Sequence, residues 1–387
     1  MSRRTSSVDE VFQTTVEKLN ALVGTPLLEI NKKLSLDLEQ AKASFLSKSL
    51  SEEGLTNLCA YIRSFVDRLP QSFERRFFFD AAFILALARD FADGLPCSGM
   101  MVPRYGENWG HERLMMPWEK NAQRGHAVHL IHICGGDRLK DVDLLEYPWI
   151  AHEWGHYLML RHDSSFSPDF TSELDEIIKL FRLSAFADRG LAKQKSQRHI
   201  QELIRFWTPS ADHRNWAHEL AIDLLSLWTC GPAYLACFED YLRKKRPNPY
   251  MIEQSHPPYA VRTEALIEGA RQLGLGAYTS GLTSTVGDWD KSNWRIEKDN
   301  HFIGLNNREI IKACIHAAFG FCRSLNLAKC SVDRVEAIRS NATKFEIPGL
   351  GVDLLLMARS VFNEKGEEAY NRWEHATVDT LAVEVTL

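Results

Sequence analysis

The sequence predicts a mainly α protein with a small β-sheet, an α+β arrangement. Three observations lead there. Apolar residues recur at three- and four-residue spacing through the N-terminal region, and the pattern is almost continuously helical from residue 146 to Gly269. A β-branched run, HAVHLIHI at 126–133, stands between the two. At 387 residues the chain can bury a large core, in two domains or one enlarged one. Three regions follow: a helical N-terminal region over 1–95, a core over 96–270, and a loop with a helical region over 271–387.

The first helix is read from Val8, Phe12, Val16, Leu19 and Val23, with Gly24, Thr25 and Pro26 ending the pattern. Helices are also predicted in LTNLCAYIRSFVDRL and RRFFFDAAFILALARDF, after which DGLP breaks the chain. Residues 96–126 mix Gly, Pro, Trp and Met and read as irregular. The 126–133 run, closed by CGGD, reads as an edge strand that lines a cleft and can pair with an extended peptide. His129 and His132 fall on opposite faces of such a strand, which excludes them as joint metal ligands. Beyond Gly269, GLGAYTSGLTSTVGDWDKSNW is rich in Gly, Ser and Thr. It marks 271–301 as a long loop with a composition suited to a lid. REIIKACIHAAFGFCRSL, SVDRVEAIRSN and GVDLLLMARSVFN return to helical spacing.

Composition removes several classes of function. A net charge of −5 argues against nucleic acid bound through a broad basic surface, and the basic cluster RKKRP at 243–247 reads as a solvated helix end. The basic start MSRRTSSVDEVF lacks the apolar run of a secretory signal. No segment has the uncharged length of a membrane span. LLSLWTCGPAYLACF comes closest, but it is short and Gly231-Pro232 breaks it, so it reads as a buried helix and a turn. Eight cysteines lie scattered without a C-x-x-C pair and read as reduced core thiols, which makes the cytoplasm the expected compartment. The N-terminal and C-terminal helical regions are expected to brace the core or to dock a protein partner.

The chemistry is concentrated in YPWIAHEWGHYLML, residues 147–160, where His152, Glu153 and His156 sit within an apolar run. Glutamate is rarely buried without a partner. On a helix, residues four apart share a face, so His152 and His156 can point two imidazoles at one cation. Glu153 lies one step round, beside the place where a metal-activated water would stand. This is the H-E-x-x-H arrangement of zinc hydrolases, and Pro148 suits the first helical turn.

A catalytic zinc needs a third protein ligand and an open position. His162 has the spacing of a metzincin third histidine, but Met159 stands where that pattern needs glycine, and Met251 matches a Met-turn only loosely. The stronger candidate is NWAHELAIDLLSLW, residues 215–228. There Glu219 and Asp223 are four apart on an apolar helix, Glu219 to bind the metal and Asp223 to take an N–H from a ligand histidine. His218 points about 100° away from Glu219 on a helical wheel.

H-E-x-x-H followed on another helix by E-x-x-x-D resembles the gluzincin pattern. SHPPYAVR, residues 255–262, resembles the H-P-P-x-x-x-R segment of relatives of the HtpX heat-shock protease and the CaaX-processing metalloproteases, and GPAYL after the second helix is similar to bacterial gluzincins of that type. The resemblance covers residues 126–265. It implies a zincin-like core with an active-site helix and an edge strand, Zn2+ as cofactor, and a peptide or protein substrate. It also implies His256 as an oxyanion donor and Arg262 as support for that pocket or a binder of substrate carboxylate. Tyr259 is a second candidate donor. The best-known members are integral membrane proteins, so their membrane roles do not carry over to a chain without a predicted span. The expected function is a zinc-dependent metalloendopeptidase with Glu153 as general base. The alternatives are a noncatalytic zinc-containing scaffold or binding protein, and a metzincin-like hydrolase using His162.

Overall fold

A computed structural model of the chain describes residues 8–21, 28–68, 75–91, 100–106, 109–114, 128–134, 143–186, 190–209, 215–291, 307–342, 344 and 347–386. The described chain is mainly α. It divides into two compact units. One comprises Met1–Ile84, Pro96–Asp141 and Val378–Leu387, and the other Leu85–Leu95 and Val142–Thr377. These boundaries fall at different places from the three-region division read in the sequence.

The first unit contains α1 (Val8–Asn20), α2 (Leu28–Leu46), α3 (Glu52–Arg68) and the start of α4 (Arg75–Phe91). Helical spacing places Phe12 and Leu19 of α1, Leu34 and Leu38 of α2, and Leu55, Ile62 and Phe65 of α3 in one buried cluster. The buried Asn31 side chain donates to the Leu19 carbonyl at 2.6 Å, satisfying a group the end of α1 leaves unpaired. Val23 and the expected Gly24–Pro26 stop lie outside the described residues.

The same unit holds a three-stranded sheet of β1 (Met100–Gly106), β2 (Gly110–Leu114) and β3 (Val128–Cys134), in the order β1-β3-β2. β1 runs parallel to β3 and β2 antiparallel to it. Two sequence expectations are corrected here. The irregular stretch 96–126 includes two strands, and the 126–133 run is the central strand instead of an edge strand. The reason is visible in Leu130, Ile131 and Ile133, all fully buried. Adjacent strand residues face opposite sides, so burial of both Leu130 and Ile131 covers both faces. With both edges of β3 hydrogen-bonded, it has none left for a peptide.

The second unit is built round α8 (Trp216–Cys230), all of whose 15 residues are buried. An apolar helix without a polar face belongs inside a core. Its neighbours are α5 (Pro148–His162), α7 (Leu191–Trp207), α9 (Pro232–Lys245), α10 (Tyr259–Gln272), α12 (Arg308–Ser324) and α14 (Val352–Lys365). Asn215 caps α8 by accepting from the His218 N–H at 3.0 Å. The chain then turns at Gly231, whose φ of 54° is left-handed and whose Cβ, if present, would lie 2.5 Å from Cys330 Sγ. The helix-turn reading of 224–238 holds, and RKKRP sits at the exposed end of α9. The unit is completed by α6 (Ser167–Phe186), α11 (Ser280–Lys291), α13 (Val332–Ala342) and most of α15 (Glu367–Thr386).

The expected 271–301 loop is also corrected. Residues 276–279 form a 3-10 turn and 280–291 form α11, while 292–301 lie outside the described residues. Thr283 and Thr285 return their hydroxyls to the carbonyls of Thr279 and Gly281, and Leu282 is buried. The Gly/Ser/Thr composition serves close packing here, because a Cβ on Gly281 would fall on the Glu239 carboxylate of α9. The lid reading of 271–291 goes with the loop.

Candidate metal centre

The site lies within the second unit, where α5 crosses α8. Pro148 occupies the first turn of α5, and the helix runs unbroken through Met159 to His162. The crossing is tight because Gly155, inside the H-E-x-x-H motif, carries no side chain. A Cβ there would stand 2.7 Å from Ile222 Cγ2. This contact brings the histidine face of α5 against the carboxylate face of α8.

His152, His156 and Glu219 each offer a ligand atom, all within 4.8 Å of one another. His152 Nε2 lies 3.6 Å from Glu219 Oε2, and His156 Nε2 lies 3.8 Å from Glu219 Oε1. Donor atoms on cation bonds of about 2.0–2.1 Å stand closer together than this, so a cation would draw the three groups inward. Glu219 Oε2 is buried without a hydrogen-bond partner, a costly state that a bound cation relieves. The His/His/Glu donor set therefore suits a metal ion.

Asp223 supports this set from behind. Its Oδ1 is 3.0 Å from His152 Nδ1. Arg262 donates to it through Nε to Oδ2 at 2.6 Å and Nη2 to Oδ1 at 2.7 Å. The alternative expectation for Arg262, binding a substrate carboxylate, is corrected. Its guanidinium is buried, forked onto Asp223 and stacked at 5.0 Å over Phe238, so it supports the site without facing a substrate.

The electrostatics are set by burial against charge. Burial opposes a charged His152, yet the neighbouring carboxylates of Asp223 and Glu219, with the charge of Glu153 behind them, outweigh it and lift its pKa to about 10. Burial lowers His156 to about 4 despite the attraction of Glu219. Burial would raise Glu219, but the neighbouring histidines bring it to about 2. Asp223 is likewise held well below the usual carboxylate range, against burial, by Arg262. The pocket thus favours positive charge between Glu219 and Asp223. Glu153 behaves differently: burial, reinforced by Glu219 against the pull of His152, raises it to about 7, the range of a working general base. Its Oε2 is 3.9 Å from His156 Nε2.

His256 precedes α10 and is 48% exposed at the mouth of the site, with Nε2 3.7 Å from Glu219 Oε1 and Nδ1 2.8 Å from Ser255 Oγ. Tyr259 shares a 2.9 Å hydrogen bond with Tyr241. Among the described residues, His162 does not join the His/His/Glu group, and it ends a helix that never turns back. Met251 is 56% exposed, which does not fit a residue packed under the histidines. His218 points to Asp163 on the far side of α8, with Nε2 2.9 Å from Oδ1.

Sequence reasoning missed the part played by Tyr234, which donates to Asp223 Oδ1 at 2.6 Å. The only available signal was the GPAYL segment, which puts a tyrosine in the first turn after α8. Trp149 was also missed; its ring meets His152 edge-on at 5.6 Å and walls the site. Among the described residues no helix is long and apolar enough to cross a membrane. Comparison with protein families, curated proteins and solved structures gave no match.

Proposed function

We propose that this protein is a zinc-dependent metalloendopeptidase of gluzincin type, with the crossed pair α5 and α8 as its zincin-like core. The observation that carries the reading is the convergence of His152, His156 and Glu219, whose ligand atoms lie within 4.8 Å of one another, with Glu153 alongside. A closed structural zinc site uses four protein ligands, often cysteine, whereas three nitrogen and oxygen donors leave a position for chemistry. Zinc held by His152, His156 and Glu219 would supply Lewis acidity to a carbonyl and to water.

The chain's own residues do the rest. His152 and His156 present Nε2 as neutral ligands, and Asp223 keeps the His152 ring oriented. Glu153, with Oε2 3.9 Å from His156 Nε2, accepts the proton of the attacking water and passes it to the departing amine nitrogen. His256, at the exposed mouth, donates a hydrogen bond to the oxygen that becomes negative as the peptide carbon turns tetrahedral. Arg262 acts at one remove by fixing Asp223. The six described cysteines are all free and buried, which supports action in a reducing compartment on a cytoplasmic peptide or protein.

The test is hydrolysis of a mixed peptide library by the purified protein, with and without a chelator, beside Glu153→Gln. The reading expects cleavage that stops with chelator and in the variant, while the variant keeps its zinc. Zinc binding without cleavage of any peptide would favour the noncatalytic scaffold.

A further inference from the structure

We propose that Tyr234 is a positioning residue for His152: through a shared oxygen of Asp223 it holds the imidazole with Nδ1 protonated and Nε2 turned to the metal. This rests on the metal-binding part of the reading above, and it assigns a role to a residue outside the H-E-x-x-H and E-x-x-x-D motifs.

Asp223 projects from the fully buried α8, and three other helices reach it. Oδ1 accepts from the Tyr234 hydroxyl at 2.6 Å and from Arg262 Nη2 at 2.7 Å, and it lies 3.0 Å from His152 Nδ1. Oδ2 accepts from Arg262 Nε at 2.6 Å. An ionised carboxylate only accepts. A hydrogen on Nδ1 is therefore what makes its 3.0 Å approach to Oδ1 favourable. In a neutral imidazole that leaves the lone pair on Nε2, the atom 3.6 Å from Glu219 Oε2.

Tyr234 contributes what Arg262 cannot. The guanidinium fork spans both carboxylate oxygens. The tyrosine hydroxyl holds Oδ1 alone, the oxygen that faces His152, and its own oxygen lies 3.4 Å from His152 Nδ1. The ring is fixed independently, edge-on to Trp149 at 5.8 Å, so removing the hydroxyl leaves the packing in place. Tyr234 is fully buried and touches no substrate. Its effect must pass through Asp223 and His152.

The experiment compares the zinc affinity of the full-length protein with that of Tyr234→Phe by competition with a chromophoric chelator. Tyr370→Phe is the control, because it removes another buried hydroxyl of the same unit, one bonded to Asp143. The expected result is zinc binding about tenfold weaker in Tyr234→Phe and unchanged in Tyr370→Phe. Wild-type affinity in Tyr234→Phe, with a drop in denaturation midpoint like that of the control, would make the hydroxyl merely structural and overturn the proposal. A wild-type protein that binds no zinc would overturn the metal reading as well, so the two failures are distinct. If Tyr234→Phe does not fold, nitrogen-15 NMR of the zinc-loaded wild type decides. Zinc on Nε2 with a slowly exchanging proton on Nδ1 of His152 is expected, and zinc on Nδ1 would refute the assignment.

Discussion

Gly155→Ala tests whether the helix crossing builds the site. The new methyl would stand 2.7 Å from Ile222 Cγ2, where carbon atoms prefer about 3.5–4.0 Å, so α5 and α8 must part by about 1 Å. Overpacking of this size costs about 1–3 kcal/mol. Replacing a mid-helix glycine by alanine returns about 1 kcal/mol. Net stability therefore falls by only about 0–2 kcal/mol. Metal binding of the proposed kind would suffer more, because it needs the 3.6 and 3.8 Å separations to shrink and tolerates errors of about 0.2 Å in its bonds. Chelator competition should show zinc affinity reduced tenfold or more, while circular dichroism shows a folded helical protein. Ile222→Ala in the same chain removes the clashing methyl and should restore much of the affinity. Wild-type zinc affinity in Gly155→Ala would refute the reasoning that this contact sets the ligand spacing.

Further outcomes follow from the same geometry. Glu153→Gln should keep about one zinc per chain and lose at least 10²–10⁴-fold in peptide hydrolysis, read by metal analysis beside a fluorogenic assay. Glu219→Ala should release zinc and His162→Ala should not, since only Glu219 lies among the ligand atoms; inductively coupled plasma analysis of both variants decides. Arg262→Met should strand a buried, ionised Asp223 and cost about 3–5 kcal/mol in urea denaturation, whereas an unchanged midpoint would mean the pair does not stabilise the fold. Saturating zinc at about 100 times its Kd should stabilise the wild type by about 2.7 kcal/mol, seen as a higher melting temperature that chelator reverses.

The helices and the His/His/Glu group that could hold a metal are readable because each rests on local spacing. His152 and His156 are four apart, as are Glu219 and Asp223, and an apolar helix with two acidic residues needs a reason to bury them. What the sequence hid depends on distant partners. β1 and β2 are recognised only through pairing with β3, and the composition around Pro103 and Gly106 conceals them. The 126–133 strand reads as an edge strand because one isolated run shows no neighbours, although adjacent Leu130 and Ile131 point to two covered faces. Glycine and threonine in α11 suggested a loop, but packing against Glu239 outweighs their weak helix propensity. Tyr234 belongs to the site only because α9 folds back onto Asp223.

The most direct test of the account is the metal content of purified wild-type protein set beside Glu219→Ala, measured by elemental analysis after exhaustive dialysis and after incubation with Zn2+. The account predicts about one zinc per wild-type chain and almost none in the variant. A wild-type chain that holds no transition metal and takes none up, or a variant that keeps its zinc, would contradict it.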